Sequence, residues 1–188
     1  MKNITMLIAC ALALALSTAT AFAQADTLKE EYFANANTAG APDATLRMSN
    51  PGTYAYGNIC ASMFVFDPNQ ELSECCSCLL TPDGLRTLSV DNDVTGNPLT
   101  GVLLLTGKVA IVSTVPVNGV CPLPTAVYPS AAIRSWATHI QNSNFTITET
   151  ASEDATLSSG EIARLGTQCS AIGLDGSGKG VCTCGTGD

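Results

Sequence analysis

Cysteine is the residue type whose chemistry stands out in this chain of 188 residues. Cys60, Cys75, Cys76, Cys78, Cys121, Cys169, Cys182 and Cys184 follow an isolated Cys10 near the start. Thiols can form disulfides, bind a metal or cluster, or serve redox chemistry. Zinc sites usually pair two C-x2-C units; here the spacing is Cys-Cys-x-Cys followed much later by Cys-x-Cys, and the only histidine is remote in sequence. A redox C-x-x-C wants a βαβ context, and none is legible. The even number favours four disulfides, and eight cysteines allow about 105 pairings. Neighbours such as Cys75 and Cys76 rarely bridge each other, because the required Cα separation is awkward across one peptide. The cluster Cys75-Cys76-Ser77-Cys78 must then send its bridges outward, and the closing Cys182-Thr183-Cys184 is expected to receive at least one.

The acidic segment Val90–Thr95 places Asp91, Asp93 and Thr95 at alternate positions. That is the opening of a calcium loop, and calcium is the one cofactor the chain suggests. The twelfth position is Val102, where a bidentate glutamate would close an EF-hand, so only a looser site fits. The same residues match the D-x-D-x-T of aspartate-nucleophile phosphatases but lack an α/β scaffold. Gly173–Lys179, GLDGSGK, has the spacing of a phosphate-binding loop. It is followed by Gly180 instead of Ser or Thr, and it trails a helical pattern instead of opening one. His139 is the sole histidine and the only natural general base, yet no G-x-S-x-G elbow accompanies it. Glu71 with Glu74, and Glu153 with Asp154, read as surface charge. Tyr54 and Tyr56 form an aromatic pair in a Pro-Gly-rich loop, and Asn144-Phe145-Thr146 is a glycosylation sequon.

Residues 1–23 read as a cleaved secretory signal. Lys2 gives the positive start, residues 6–16 the apolar stretch, and Ala21-Phe22-Ala23 the cleavage pattern. A lipoprotein signal ending at Cys10 fits less well, because the apolar stretch follows that cysteine instead of preceding it. Removing 23 of 188 residues leaves 165, and losing Lys2 takes the net charge from −8 to −9. So acidic a chain is a poor match for nucleic acid or for an anionic membrane. No later apolar run approaches the roughly 20 residues of a spanning helix. The expected location is extracellular or periplasmic, with no membrane insertion after cleavage.

The elements that would hold these residues are mostly short strands. Residues 24–43 read as a polar arm or edge strand, 44–129 as a β-rich core, and 130–188 as a smaller α+β part of the same domain. Residues 45–49, 58–67, 85–90, 99–106, 108–115 and 144–150 carry strand patterns, with Gly107 turning a hairpin between the two central runs. Breaks such as Asn50-Pro51-Gly52 and Asp67-Pro68-Asn69 separate them. Residues 70–80 suggest a helical turn. Ile133, Trp136 and Ile140 suggest a short helix over 131–141. A second helix is expected over 159–172, capped by Ser158 with Glu161 and tethered through Cys169. The fold class expected is mainly β: a disulfide-braced β-sandwich or partial barrel with one or two short C-terminal helices.

With no catalytic motif legible, the expected role is contact with other protein chains, self-assembly among them, as in a subunit of an extracellular assembly or filament. Residues 24–43 would then be free to add a strand to a neighbour. A small-ligand, carbohydrate or calcium-binding module is the alternative, and a secreted hydrolase using His139 a second.

Overall fold

The computed structural model describes residues 27–185; the signal sequence inferred for residues 1–23 lies outside them. Among the described residues nine strands form two antiparallel sheets. The first sheet has the order β4-β3-β6-β1-β9 and the second β5-β2-β7-β8. In chain order the strands are β1 (Leu28–Ala34), β2 (Thr45–Ser49), β3 (Ile59–Phe66), β4 (Leu72–Leu80), β5 (Leu85–Ser89), β6 (Thr106–Thr114), β7 (Arg134–Gln141), β8 (Thr146–Ala151) and β9 (Glu153–Ala155). A π turn over Val90–Val94 follows β5, and helix α1 (Ser159–Asp175) follows β9. The arrangement is a sandwich and not a closed barrel, with one C-terminal helix.

The first sheet is covered on both faces. Met63, Val65, Ile111 and Phe33 pack toward the second sheet, against Leu46, Met48, Ile133 and Ala137. Phe64, Phe66, Ala110 and Val112 point the other way, against Leu165, Cys169 and Ile172 of α1. Period-2 alternation on β3 and β6 sends successive side chains to opposite layers. With apolar partners on both sides, all eight residues of β3 are buried. Burial of these side chains is the main stabilising contribution, at about 25 cal/mol for each Å² of apolar surface removed from water.

Alternation also sorts the cysteine cluster. The segment read as a helical turn is strand β4, so Cys75 faces α1 and bonds Cys169, while Cys76 and Cys78 face the other layer and bond Cys182 and Cys184. The fourth bridge joins Cys60 to Cys121. Both bridges from Cys76 and Cys78 span 106 residues. Equal separations mean that the terminal segment runs parallel to β4, and Val181 indeed pairs in parallel with Cys75. All eight thiols are thereby consumed, as the outward-bridging argument required.

Three local expectations fail for physical reasons. Residues 131–141 hold strand β7 and no helix: Ser135, Ala137 and His139 are buried while Arg134, Trp136 and Thr138 are not. The three- and four-residue spacing of Ile133, Trp136 and Ile140 was fortuitous, since Trp136 lies on the outer side. Residues 99–105 are an irregular loop with Val102, Leu103 and Leu105 exposed, so apolar content there does not report burial. Gly107 lies inside β6 and turns no hairpin; a Cβ on it would stand 2.2 Å from the Phe66 carbonyl oxygen and 2.6 Å from Phe33 Cζ. The expected α1 helix forms, with Ser158 Oγ accepting from the Glu161 N–H at 3.1 Å.

The segment 24–43 is not a free arm where it is described. β1 pairs with β6 along its whole length and with β9 through Leu28, Lys29 and Glu30. Among the described residues no helix is long and apolar enough to cross a membrane.

Candidate functional site

The two flanks of a sandwich are where polar groups enter it. On one flank the chain crosses from β8 to β9 through Ser152, opposite the middle of β1. There the interior turns polar: Lys29, Glu31, Ser135 and His139 are all buried. The sequence gives little warning of this, because β1 carries charged residues at Lys29, Glu30 and Glu31 on both of its faces.

His139 is the centre of this cluster. Its side chain is 1% exposed. Its Nδ1 lies 3.1 Å from the Tyr32 carbonyl oxygen, and its Nε2 lies 2.7 Å from Thr150 Oγ1. A carbonyl only accepts, so Nδ1 carries the hydrogen, and in the neutral ring Nε2 accepts from the Thr150 hydroxyl. The ring also stacks on Tyr32 at 4.2 Å between centroids. Glu31 Oε2 stands 3.5 Å from the same Nε2. Burial pushes the Glu31 carboxyl above its ordinary range, against the pull of the Ser152 hydroxyl and of His139, while Glu153 adds to the rise. Ser152 in turn accepts a hydrogen bond from Ser135.

A hydroxyl, an imidazole and a carboxylate are thus together, but not in the order acyl transfer uses. In a hydrolytic triad the carboxylate orients Nδ1 and the hydroxyl meets Nε2. Here Glu31 and Thr150 share Nε2, and a backbone carbonyl occupies Nδ1. His139 ties β1, β7 and β8 together, satisfying a strand carbonyl that would otherwise be orphaned. Above this layer lies a cleft of about 440 Å³ lined by Glu30, Glu31, Tyr32, Lys108, Thr150 and Glu153.

No family model, no curated protein and no solved structure matches this chain.

The candidate calcium residues come together in the π turn, but their oxygens point to different places. Asp91 Oδ1 accepts the Asn37 N–H at 2.9 Å. Asp93 accepts from the Ser89 N–H through Oδ2 and from the Thr183 hydroxyl through Oδ1. Thr95 donates to the Val90 carbonyl at 2.8 Å. Burial, offset by the Asn37 contact and reinforced by Asp43, raises the Asp91 carboxyl. Among the described residues no group of three or more His, Cys, Asp and Glu side chains is poised to hold a metal. The loop ties the terminal segment to the fold instead. The glycine-rich GLDGSGK run straddles the C-terminal end of α1, where Gly176 takes the left-handed conformation at φ +69°. This is the opposite polarity from a phosphate loop.

Two acidic residues differ from their sequence reading. Glu74 is not surface charge: it is fully buried on β4, with Oε1 accepting the Asn97 N–H at 3.2 Å and Oε2 without a partner. Burial pushes its carboxyl up to about 8, against the Asn97 contact and Lys179. Glu31 was not singled out at all. Alternation on β4 marks Glu74 as sharing a face with Cys76 and Cys78, and that signal was available. Tyr54 and Tyr56 meet edge-to-face at 5.4 Å beside a depression of about 510 Å³ that also includes Asn58 and Pro116.

Proposed function

We propose that this is an exported, non-catalytic protein of the cell surface or extracellular space that works by associating with further copies of itself through strand β8. The observation that carries this reading is the state of that strand. β8 ends its sheet, every one of its six residues is exposed, and among the described residues no strand pairs with its outer side. An open edge is a template for another strand. Its sequence, TITETA, is β-branched and contains no proline or lysine to discourage pairing. Its one charge, Glu149, is met by Arg47 at 2.7 Å. On a chain with net charge −8, this neutral edge is where two copies approach with least repulsion.

Export is supported by the signal pattern of residues 1–23 and by four disulfides, which persist in oxidising compartments. β1 is already committed to its own sheet, which moves the strand-addition role from residues 24–43 to β8. Sedimentation of the processed chain over a range of concentrations tests the reading. The expected result is concentration-dependent association that Ile147→Lys abolishes. A chain that stays monomeric throughout, or a variant that associates as before, overturns it.

A second reading rests on the Tyr54–Tyr56 pair. Tyr56 is 85% exposed beside a concave surface, an arrangement suited to stacking on a small ligand such as a sugar ring. Titration with a glycan panel tests it, and calcium in the same series tests the Asp91–Asp93 loop. Loss of a glycan response in Tyr56→Ala supports the ligand reading, whereas silence across the panel removes it.

A further inference from the structure

We infer that Asn144 is the acceptor of an N-linked oligosaccharide. Asn144-Phe145-Thr146 is the one N-x-S/T triplet after residue 23. Such a triplet can keep a glycan only where the folded chain leaves room for a bulky polar group at its surface. The structure places it in the turn over residues 142–145, between β7 and β8, with Asn144 and Thr146 both exposed.

The turn holds itself together without using the acceptor. Asn142 Oδ1 accepts the Asn144 N–H at 2.9 Å, and Asn142 Nδ2 donates to Thr146 Oγ1 at 3.5 Å. Phe145, in the left-handed region at φ +52°, packs partly buried against the main core, while its two neighbours face solvent. The Asn144 side-chain amide has no hydrogen-bond partner among the described residues. By contrast, Asn35, Asn37, Asn50 and Asn97 donate theirs to backbone carbonyls and are committed to the fold. A glycan on Asn144 therefore displaces no contact.

The co-substrate is a lipid-linked oligosaccharyl pyrophosphate, brought to the chain by a transferase of the export route. The Asn144 side-chain nitrogen bonds to the anomeric carbon, the bond from that carbon to the pyrophosphate oxygen breaks, and the amide gives up one proton as the lipid pyrophosphate leaves. Thr146 supplies the hydroxyl that the triplet requires, and its hydrogen is free because it accepts from Asn142. The sugar stands on the turn and off strand β8, so it is independent of strand addition. It does rest on export, as proposed above.

Intact mass of the chain secreted by the organism that encodes it is the test, read before and after an amidase that releases N-linked glycans. The expected result is a mass above that of the processed, disulfide-bonded polypeptide, with the excess removed by the amidase and aspartate left at 144. Asn144→Gln and Thr146→Ala should lose the glycan entirely, and Thr146→Ser should keep it. Both positions are exposed, and thermal melts establish that the variants fold. A secreted chain of bare polypeptide mass, or a glycan that persists in Asn144→Gln or Thr146→Ala, overturns the inference and leaves export standing. A chain retained inside the cell with residues 1–23 attached overturns both.

Discussion

On one flank of the sandwich a second backbone lies over the sheet edge. Val181 pairs beside Cys75, the Cys75 N–H donates to the Gly180 carbonyl at 2.9 Å, and two disulfides fasten the segment to β4. Arg86 of β5 reaches the Cys184 carbonyl at 2.6 Å, and Asp93 holds Thr183, so the same segment also spans to the second sheet. On the opposite flank β8 has no such cover among the described residues, and the sheets are connected there by the crossing at Ser152. Open edges invite aggregation, and proteins blunt them with charge, proline, bulges or a covering segment. Three of the four disulfides lie around β4, whereas β8 has no proline, bulge or covering segment among the described residues, and its one charge, Glu149, is paired with Arg47. The difference teaches that one fold both seals a sheet edge at β4 and leaves one open at β8.

The largest expected effect comes from unsealing the first flank. Cys76–Cys182 and Cys78–Cys184 close nearly the same loop, each with a separation of 106 residues. Because Cys75–Cys169 already ties β4 to α1, the first of the two closes only a further loop of about 15 residues, worth roughly 3 kcal/mol in the chain-entropy model. Once either bridge is in place, the other restrains only a few more residues. Replacing one pair by alanine should therefore cost about 1 kcal/mol, while replacing both should cost about 4 kcal/mol, beyond additivity. Denaturant titration of the three variants checks this. Equal and additive losses would mean that the two bridges restrain separate parts of the fold.

Glu74 sharpens the same comparison, because it lies beneath the sealed edge beside Asn97, which itself binds Gly178 and Val181. Its carboxyl titrates near 4.5 when unfolded and near 8 in the fold. Below about 4.5 both states hold the proton and nothing is lost. Between these values only the folded state holds it, so stability falls as pH rises and levels off above about 8. The decline is at most about 1.4 kcal/mol for each pH unit in that window. Glu74→Gln should flatten that decline, giving a variant that gains on the parent as pH is raised. Parallel stability curves for the two proteins from pH 5 to 9 would show that Glu74 is not the group responsible.

The open flank has its own internal tie in His139. Removing the ring in His139→Ala strands the Tyr32 carbonyl and leaves the Thr150 hydroxyl without its partner. A cost of about 2 kcal/mol is expected from the unsatisfied groups. His139→Gln, able to donate to one and accept from the other, should recover part of it. A loss confined to stability, visible in thermal melts, is the signature of a tie between strands.

How much of this was readable beforehand follows from what each residue's neighbours decide. The strands at 45–49 and 59–66 were legible because alternation or density of β-branched residues reflects burial on one face or on both. Helix α1 was legible because Ser158 and Glu161 mark its start locally. Strand β7 was misread because the polar residues it buries, Ser135 and His139, find partners on distant segments: Ser152, and Tyr32 with Thr150. Burial of a polar residue is set by a partner that composition does not name. The pairing of Cys76 with Cys182 and of Cys78 with Cys184 needed one fact the sequence withholds, that the terminal segment runs parallel to β4. Glu31 was invisible for a related reason, since nothing in LKEEYFA says which of its two faces turns inward.

The smallest expected effect on stability belongs to β8, and it separates folding from association most cleanly. Ile147 is 56% exposed, so Ile147→Lys buries no charge and opens no cavity; a change within about 0.5 kcal/mol is expected. If β8 is the docking edge, the same substitution removes association, because an edge lysine must lose its hydration to lie beneath a second strand. A control at Leu103, equally exposed but in the loop before β6, should leave association intact when changed to Lys. Should Leu103→Lys be the variant that dissociates the protein and Ile147→Lys the silent one, the apolar loop and not the strand edge is the contact surface. The contrast between the sealed and the open flank would then describe how the sheets are protected, with no bearing on what the protein touches.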